Sequence, residues 1–412
     1  LYVYPIEYEI ALRRREEVED IIRKVIKIQE KKPSLAEKIS LLMMNPFTGF
    51  PFLFLILYFG LYKFVGVFGA GIVVNFIENT IYDQRINPFL IKILSELIPV
   101  KIFQDLVIGE YGILTLGLRY AVALILPLVT FFFLFFSVVE DTGYLPRLAM
   151  LIDRTFKKIG LSGRAVIPMV LGFGCVTMAT LVTRTLPTRR ERIIATMLLA
   201  LAVPCSAQLG VILALLGGHP EAMVIWVGVI ILVFLFIGFL TARVLPGERP
   251  SFYIEIPPLR IPNLKNIVVK TYVRVKWYFW EILPLFILAS GLIWLGKLTR
   301  LFDFLIFLLK NPVKMIGLPE EAARIFIFGF FRRDYGAAGL YDLHKGGLLT
   351  GNQLLVACIA LTLFLPCIAQ FLINLKERGW RTGISISLFT LLVSFGIAFL
   401  VNLVLNMLGI KL

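Results

Sequence analysis

The chain has 412 residues, 58% of them hydrophobic, with a mean hydropathy of +0.86, well above the roughly 45–50% apolar content of soluble domains. Its formal charge of +15, from 42 Lys and Arg against 27 Asp and Glu, fits the basic cytoplasmic loops of a membrane protein, and no basic stripe on a soluble fold points to nucleic acid. Four cysteines without a Cys-x-x-Cys pair argue against a disulfide framework, and two histidines, His219 and His344, both read as loop residues, argue against a His-based zinc centre.

The chain opens on Leu1-Tyr2-Val3-Tyr4 rather than on Met, as a piece of a longer protein does, and shows no cleavable signal. Residues 1–45 hold nine Lys and Arg and eight Asp and Glu, with an apolar stripe of Val18, Ile21, Ile22 and Val25. They read as a cytosolic amphipathic helical linker. A first span is expected at 51–77, and 78–110, with Pro88 and Pro99, reads as an interfacial segment, so 46–110 forms one unit.

Spans of about 20 apolar residues, the length needed to cross a bilayer, follow at 112–138, 193–217, 222–244, 278–298, 352–375 and 384–409. Residues 164–183 are apolar but interrupted by Pro168 and glycines, and 324–340 is similarly rich in glycine. The alternation of a membrane β-barrel is absent. The fold class is therefore all-α and polytopic.

The order of these elements repeats. Residues 111–245 read as span, broken segment, span, span, and 278–412 read the same way, joined by a basic cytosolic linker at 246–277. If each broken segment enters and leaves on one side, each block makes three crossings and the second is inverted relative to the first. Such inverted-topology repeats place their site near the bilayer midplane, at the repeat interface. Arg147, Arg154, Lys157, Lys158, Arg164, Arg184, Arg189, Arg190 and Arg192 flank the first broken segment and place it, with the N-terminus, on the cytoplasmic side. Arg324, Arg332 and Arg333 fall on the other side, which is reconciled by burying them with partners such as Asp334.

Two near-identical runs carry the chemistry: Pro204-Cys205-Ser206-Ala207-Gln208 and Pro366-Cys367-Ile368-Ala369-Gln370. A proline inside a helix removes one hydrogen bond and displaces the carbonyl four residues earlier, which leaves the oxygens of Ala200 and Thr362 available as ligands. Broken helices at membrane depth are tolerated where they are buried in protein or line a cavity. Cys205 and Gln208 share a helix face, as do Cys367 and Gln370, and Cys175 shares one with Met178 in Gly172-Phe173-Gly174-Cys175-Val176-Thr177-Met178. Thiol, thioether, hydroxyl, amide and carbonyl donors suit Fe(II), Zn(II) or Cu(I) better than Mg(II). The metal-contacting candidates are Cys175, Cys205, Cys367, Gln208, Gln370, Ser206, Thr177 and Met178; Cys358 reads as a packing residue. Glu140, Asp141 and Asp334 are candidates for an ion entrance, Glu140 and Asp141 having a solvated helix end as their plainer reading. No phosphate-binding loop and no Ser/His/Asp set occurs, so no catalytic residue is assigned.

Glu140 to Arg147 (EDTGYLPR), Gly172 to Cys175 (GFGC), Arg184-Thr185-Leu186 with Arg190-Glu191-Arg192, Pro204 to Gln208 (PCSAQ) and Gly329 to Gly339 (GFFRRDYGAAG) resemble the membrane domain of the FeoB family of ferrous-iron transporters, from about residue 35 onward. That resemblance implies Fe(II) as the transported ion, uptake across a prokaryotic inner membrane, and gate cysteines at Cys175, Cys205 and Cys367. It also implies a cytosolic G domain preceding residue 1, which would hold GTP and Mg; no tightly bound cofactor is expected in this chain, nor enzymatic activity. The sequence departs from the family pattern at Val176-Thr177-Met178, where many members have Asn-Val-Pro. Membrane lipid, the G domain, a small cytosolic accessory protein and further copies of the chain are the expected partners. Two other readings compete: an organic-solute carrier, since the gate motifs also resemble those of nucleoside transporters, and a membrane scaffold or receptor, which would need no broken helices.

Overall fold

Helices account for every regular element among the described residues of the computed structural model, which are 6–25, 34–74, 76–97, 101–109, 112, 114, 118, 122–123, 126–217, 219–247, 256–331, 333–364 and 366–409. The N-terminal linker forms Ile6–Val25 and Leu35–Met44, and the second of these starts with a capping box in which Ser34 and Glu37 satisfy each other's backbone N–H groups. Asn45 then caps Pro46–Ile56, which continues as a π-helix over Leu57–Val74. Gly60 and Gly69 of that stretch face Phe135 and Phe131; a Cβ at Gly60 would fall 1.9 Å from the Phe135 ring. Small residues let membrane helices approach this closely.

The interfacial segment expected at 78–110 is helical over Phe76–Ile86, Asn87–Leu97 and Lys101–Ile108. Pro88 sits in the first turn of its helix, where a missing N–H costs nothing; Pro99 and most of 110–125, the start of the expected 112–138 span, lie outside the described residues.

The remaining helices fall in two stretches, 126–244 and 264–408. In the first, Leu126–Asp141 bends by 84° into Tyr144–Lys158. A hairpin of Val166–Gly172 and Val176–Val182 follows, then a helix broken between Arg189–Ala202 and Ser206–Leu216, then Pro220–Val244. In the second, Leu264–Leu298 and Leu301–Met315 precede a hairpin of Ala322–Phe331 and Arg333–Lys345. A helix broken between Gly351–Leu363 and Ile368–Arg378 and the long Trp380–Leu408 complete it. Four described helices are long and apolar enough to cross a membrane: Pro46–Val74, Pro220–Val244, Gly351–Arg378 and Trp380–Leu408; the bent 126–158 pair makes a fifth if it counts as one.

Two expectations need correction. The basic linker does not run to residue 277, because Leu264–Leu298 is one 35-residue helix capped by Asn263, whose side chain accepts from Lys265 N. Its charged first turns stay helical because Lys270 and Arg274, one turn apart, meet acids on Leu126–Asp141. His344 lies in the last turn of Arg333–Lys345 rather than in a loop.

The main contacts are unchanged when the blocks are exchanged. Leu126–Asp141 packs on Leu264–Leu298, and Arg189–Ala202 on Gly351–Leu363. Ser206–Leu216 packs on the second hairpin's Arg333–Lys345, and Ile368–Arg378 on the first hairpin's Val176–Val182. Each half-helix beyond a break is therefore held by the hairpin of the other block.

Candidate ion pathway at the two helix breaks

Both breaks have the same local construction. Cys205 (φ −74°, ψ 164°) and Cys367 (φ −57°, ψ 159°) are extended residues standing just before a new half-helix, and neither thiol caps it. The carbonyl of Cys205 accepts from Leu209 N at 2.8 Å, and that of Cys367 from Phe371 N at 2.8 Å. Cys175 occupies the same kind of position before Val176–Val182, at the tip of the first hairpin. All three thiols are partly exposed, whereas Cys358 is fully buried in the apolar core, as a packing residue would be.

The three positions are brought together. Ser206 donates from both its backbone N, at 3.2 Å, and its Oγ, at 3.1 Å, to the carbonyl of Gly174, which ties the first break to the hairpin tip. Cys175 Sγ is 3.7 Å from Tyr278 Oη. Among the described residues, no three His, Cys, Asp or Glu side chains group closely enough to cage a metal ion; each thiol has a different polar neighbour.

The freed Ala200 oxygen is not open, contrary to expectation. Arg333 donates from Nη2 to Ala200 O at 2.9 Å, and from Nη1 to Val203 O at 3.2 Å and to Gln208 Oε1 at 3.4 Å. Gln208 Nε2 in turn donates to Leu361 O at 3.0 Å, one of the last carbonyls before the second break. These carbonyls lack helical donors, and a long side chain from the other repeat satisfies them. The described partners of Arg333 are backbone and amide oxygens; the expected pairing with Asp334 falls on a side chain outside the described set. At the second break Gln370 Nε2 donates to Thr180 Oγ1 at 2.7 Å and to Asn374 Oδ1 at 3.0 Å, and buried Gln370 Oε1 has no hydrogen-bond partner among the described residues.

Met178 is 3% exposed and lines a cavity of about 590 Å³ together with Glu140, Arg164, Arg184, Arg274 and Trp277. Cys175 stands before the same helix in extended conformation (φ −143°, ψ 115°). Glu140 and Asp141 are already paired: Arg274 reaches Glu140 at 2.7 Å, and Lys270 reaches Asp141 at 3.3 Å and Glu140 at 3.6 Å. Asp141 also accepts from Asn263 N at 2.9 Å. In this structure they fasten Leu264–Leu298 rather than present open charge.

Sequence reasoning missed Tyr278, Thr180 and the latch formed by Arg184, Glu377, Glu281 and Lys376. Arg184 Nε donates to Glu377 Oε2 at 2.8 Å and its Nη2 to Glu377 Oε1, while Lys376 pairs with Glu281 at 2.8 Å. Arg184 lies in a motif the sequence offers, but its partners do not; only long-range packing pairs them.

Comparison with known proteins covers the same elements. The family model described as "Gate: Nucleoside recognition" matches twice, at 122–218 and 279–381, one match per block. The model described as "Ferrous iron transport protein B C terminus" matches 223–274, between them. A protein of Methanocaldococcus jannaschii named "Fe(2+) transporter FeoB" is 27% identical over 330 residues, 70% of this chain and 48% of the relative. The chain is similar to FeoB proteins over about two thirds of its length. A FeoB of Staphylococcus aureus is 25% identical over 68% of the chain and 46% of its own length. A Porphyromonas gingivalis relative, named "Fe(2+) transport protein A/Fe(2+) transporter FeoB fusion protein", is 29% identical over 63% of the chain and 30% of its own length. The chain thus spans from under a third to about half of the FeoB relatives it matches. No solved structure matches it. The two gate matches coincide with the two hairpin-and-broken-helix units, and the C-terminal model spans most of Pro220–Val244 and the start of Leu264–Leu298.

Proposed function

We propose that this chain is the membrane part of a transporter that takes ferrous iron into the prokaryotic cytosol, with Fe(II) as cargo and an upstream G domain supplying GTP hydrolysis. The carrying observation is the pair of matched Pro-Cys breaks at the repeat interface, with a third thiol, Cys175, at the facing hairpin tip. At the second break Cys367 and Gln370 Oε1, which has no hydrogen-bond partner among the described residues, offer a thiol and an amide oxygen, a borderline donor set suited to a transition-metal ion that must also be released. The blocks are inverted with respect to each other, the N-terminus is cytoplasmic, and the membrane is the inner one. Naming of a relative as a fusion with Fe(2+) transport protein A supports a small accessory partner.

Anaerobic Fe(II) uptake into proteoliposomes holding the full-length protein tests this. Wild type is expected to show flux that Cys205→Ser/Cys367→Ser abolishes while its thermal midpoint stays put. Unchanged flux in the double variant returns those cysteines to packing, and no flux in wild type with nucleotide present counts against iron. A second reading, a nucleoside-like solute, draws on the description of the matched gate model; nucleoside uptake that survives the cysteine replacements would favour it.

A further inference from the structure

The first break holds three oxygens aimed at one positive charge. The helix Arg189–Ala202 ends there, and Pro204 has no N–H to offer Ala200 O. The C-terminal end of a helix carries partial negative charge, and the carbonyls of Ala200 and Val203 are joined by Gln208 Oε1; all three residues are buried. Carbonyl and amide oxygens are what a partly dehydrated metal cation uses as ligands. Here the guanidinium of Arg333, 5% exposed, occupies them at 2.9, 3.2 and 3.4 Å. Arg333 comes from the other repeat, on the arm of the second hairpin that packs against Ser206–Leu216.

We propose that Arg333 is a tethered cation filling a metal-cation site made by Ala200 O, Val203 O and Gln208 Oε1, and that cargo enters this site only as the guanidinium leaves. The inference rests on the transport reading above and adds a gate to it. Exchange of one positive charge for another leaves the oxygen dipoles satisfied in both states, so neither state strands a buried carbonyl. The equivalent amide oxygen at the second break, on Gln370, has no partner among the described residues, whereas that of Gln208 faces a guanidinium. Withdrawal requires the second hairpin to shift against the first broken helix, which couples ion entry to movement of one repeat against the other.

The test is cation entry into proteoliposomes of the full-length protein, wild type against Arg333→Ala, with and without guanidinium chloride at non-denaturing millimolar concentration. Arg333→Ala is expected to lower the half-saturating Fe(II) concentration about tenfold, a shift of about 1.4 kcal/mol, and guanidinium is expected to slow entry in this variant but not in wild type. Arg333→Lys is expected to restore insensitivity to guanidinium. A folded Arg333→Ala protein with unaltered saturation and no selective guanidinium effect overturns the proposal. Should Arg333→Ala not fold, Gln208→Glu replaces it: a carboxylate holds the guanidinium harder and slows entry several-fold, and unchanged or faster entry overturns the proposal. Running Mn(II) and Zn(II) in parallel separates the two readings. A guanidinium effect on another metal with no Fe(II) entry keeps the gate and removes iron; Fe(II) entry that ignores every Arg333 and Gln208 change keeps iron and removes the gate.

Discussion

Gln208 Nε2 donates a 3.0 Å hydrogen bond to the carbonyl oxygen of Leu361, 153 residues away. One side chain from the first break thereby closes the helix end at the second, while its amide oxygen faces Arg333. Breaking two helices in the same core exposes carbonyls that water cannot reach, and the fold answers by crossing side chains between repeats.

Replacing Gln208 by Leu removes both ends of this link at similar volume. Interhelical hydrogen bonds in membranes are worth about 0.6–2 kcal/mol, so Gln208→Leu is expected to lower stability by about that much in detergent unfolding. A variant as stable as wild type would show that Leu361 O finds another donor.

The second hairpin turns on a glycine contact. A Cβ on Gly336 would lie 2.8 Å from Gly329 Cα and 2.9 Å from Leu361 Cδ1. Gly336→Ala must part the two arms, at about 1–3 kcal/mol as overpacking usually costs. Gly210→Ala is the contrast, because nothing lies within 4 Å of its Cβ; there the change is expected to be neutral or to stabilise by up to about 1 kcal/mol. Equal thermal midpoints for the two variants would refute the contact.

Arg147 holds the N-terminal helix to the membrane part. It is 2% exposed and donates to Ser40 Oγ at 2.8 Å, to Pro257 O at 2.8 Å and to Gly143 O. Arg147→Met keeps bulk but orphans these acceptors, at about 1–3 kcal/mol for each one that stays dry. Limited proteolysis near residues 34–45 is expected to speed up; an unchanged cleavage rate would mean that packing alone anchors Leu35–Met44.

Arg184 and Glu377 join the end of the first hairpin to the end of the second broken helix through two parallel hydrogen bonds. Arg184 is 45% exposed and Glu377 only 7%. Allowing for solvent screening, a double-mutant cycle with Arg184→Gln and Glu377→Gln is expected to give a coupling of about 0.5–1 kcal/mol. Labelling of Cys367 by a polar thiol reagent is expected to quicken in either single variant, whereas zero coupling and unchanged labelling would make the pair incidental.

The proline breaks were legible because Pro204 and Pro366 act on their own backbone: a missing N–H and a ring clash need no knowledge of the rest of the fold. The two glycine-interrupted apolar segments were legible for the same reason, as apolar length and glycine interruptions are local. The occupant of the freed carbonyl was not. Arg333 lies 133 residues from Ala200, and its adjacent Asp334 is the nearer partner in sequence.

By itself the sequence determined an all-α membrane protein with two like blocks, each carrying a broken segment and a Pro-Cys break, since hydropathy, proline and glycine act over one or two turns. Only the tertiary structure decided which donors stay open and which are filled. Long polar side chains such as Arg333, Gln208 and Glu140 find partners by packing between blocks, where burial makes an unpaired carbonyl or charge costly and sequence distance sets no limit.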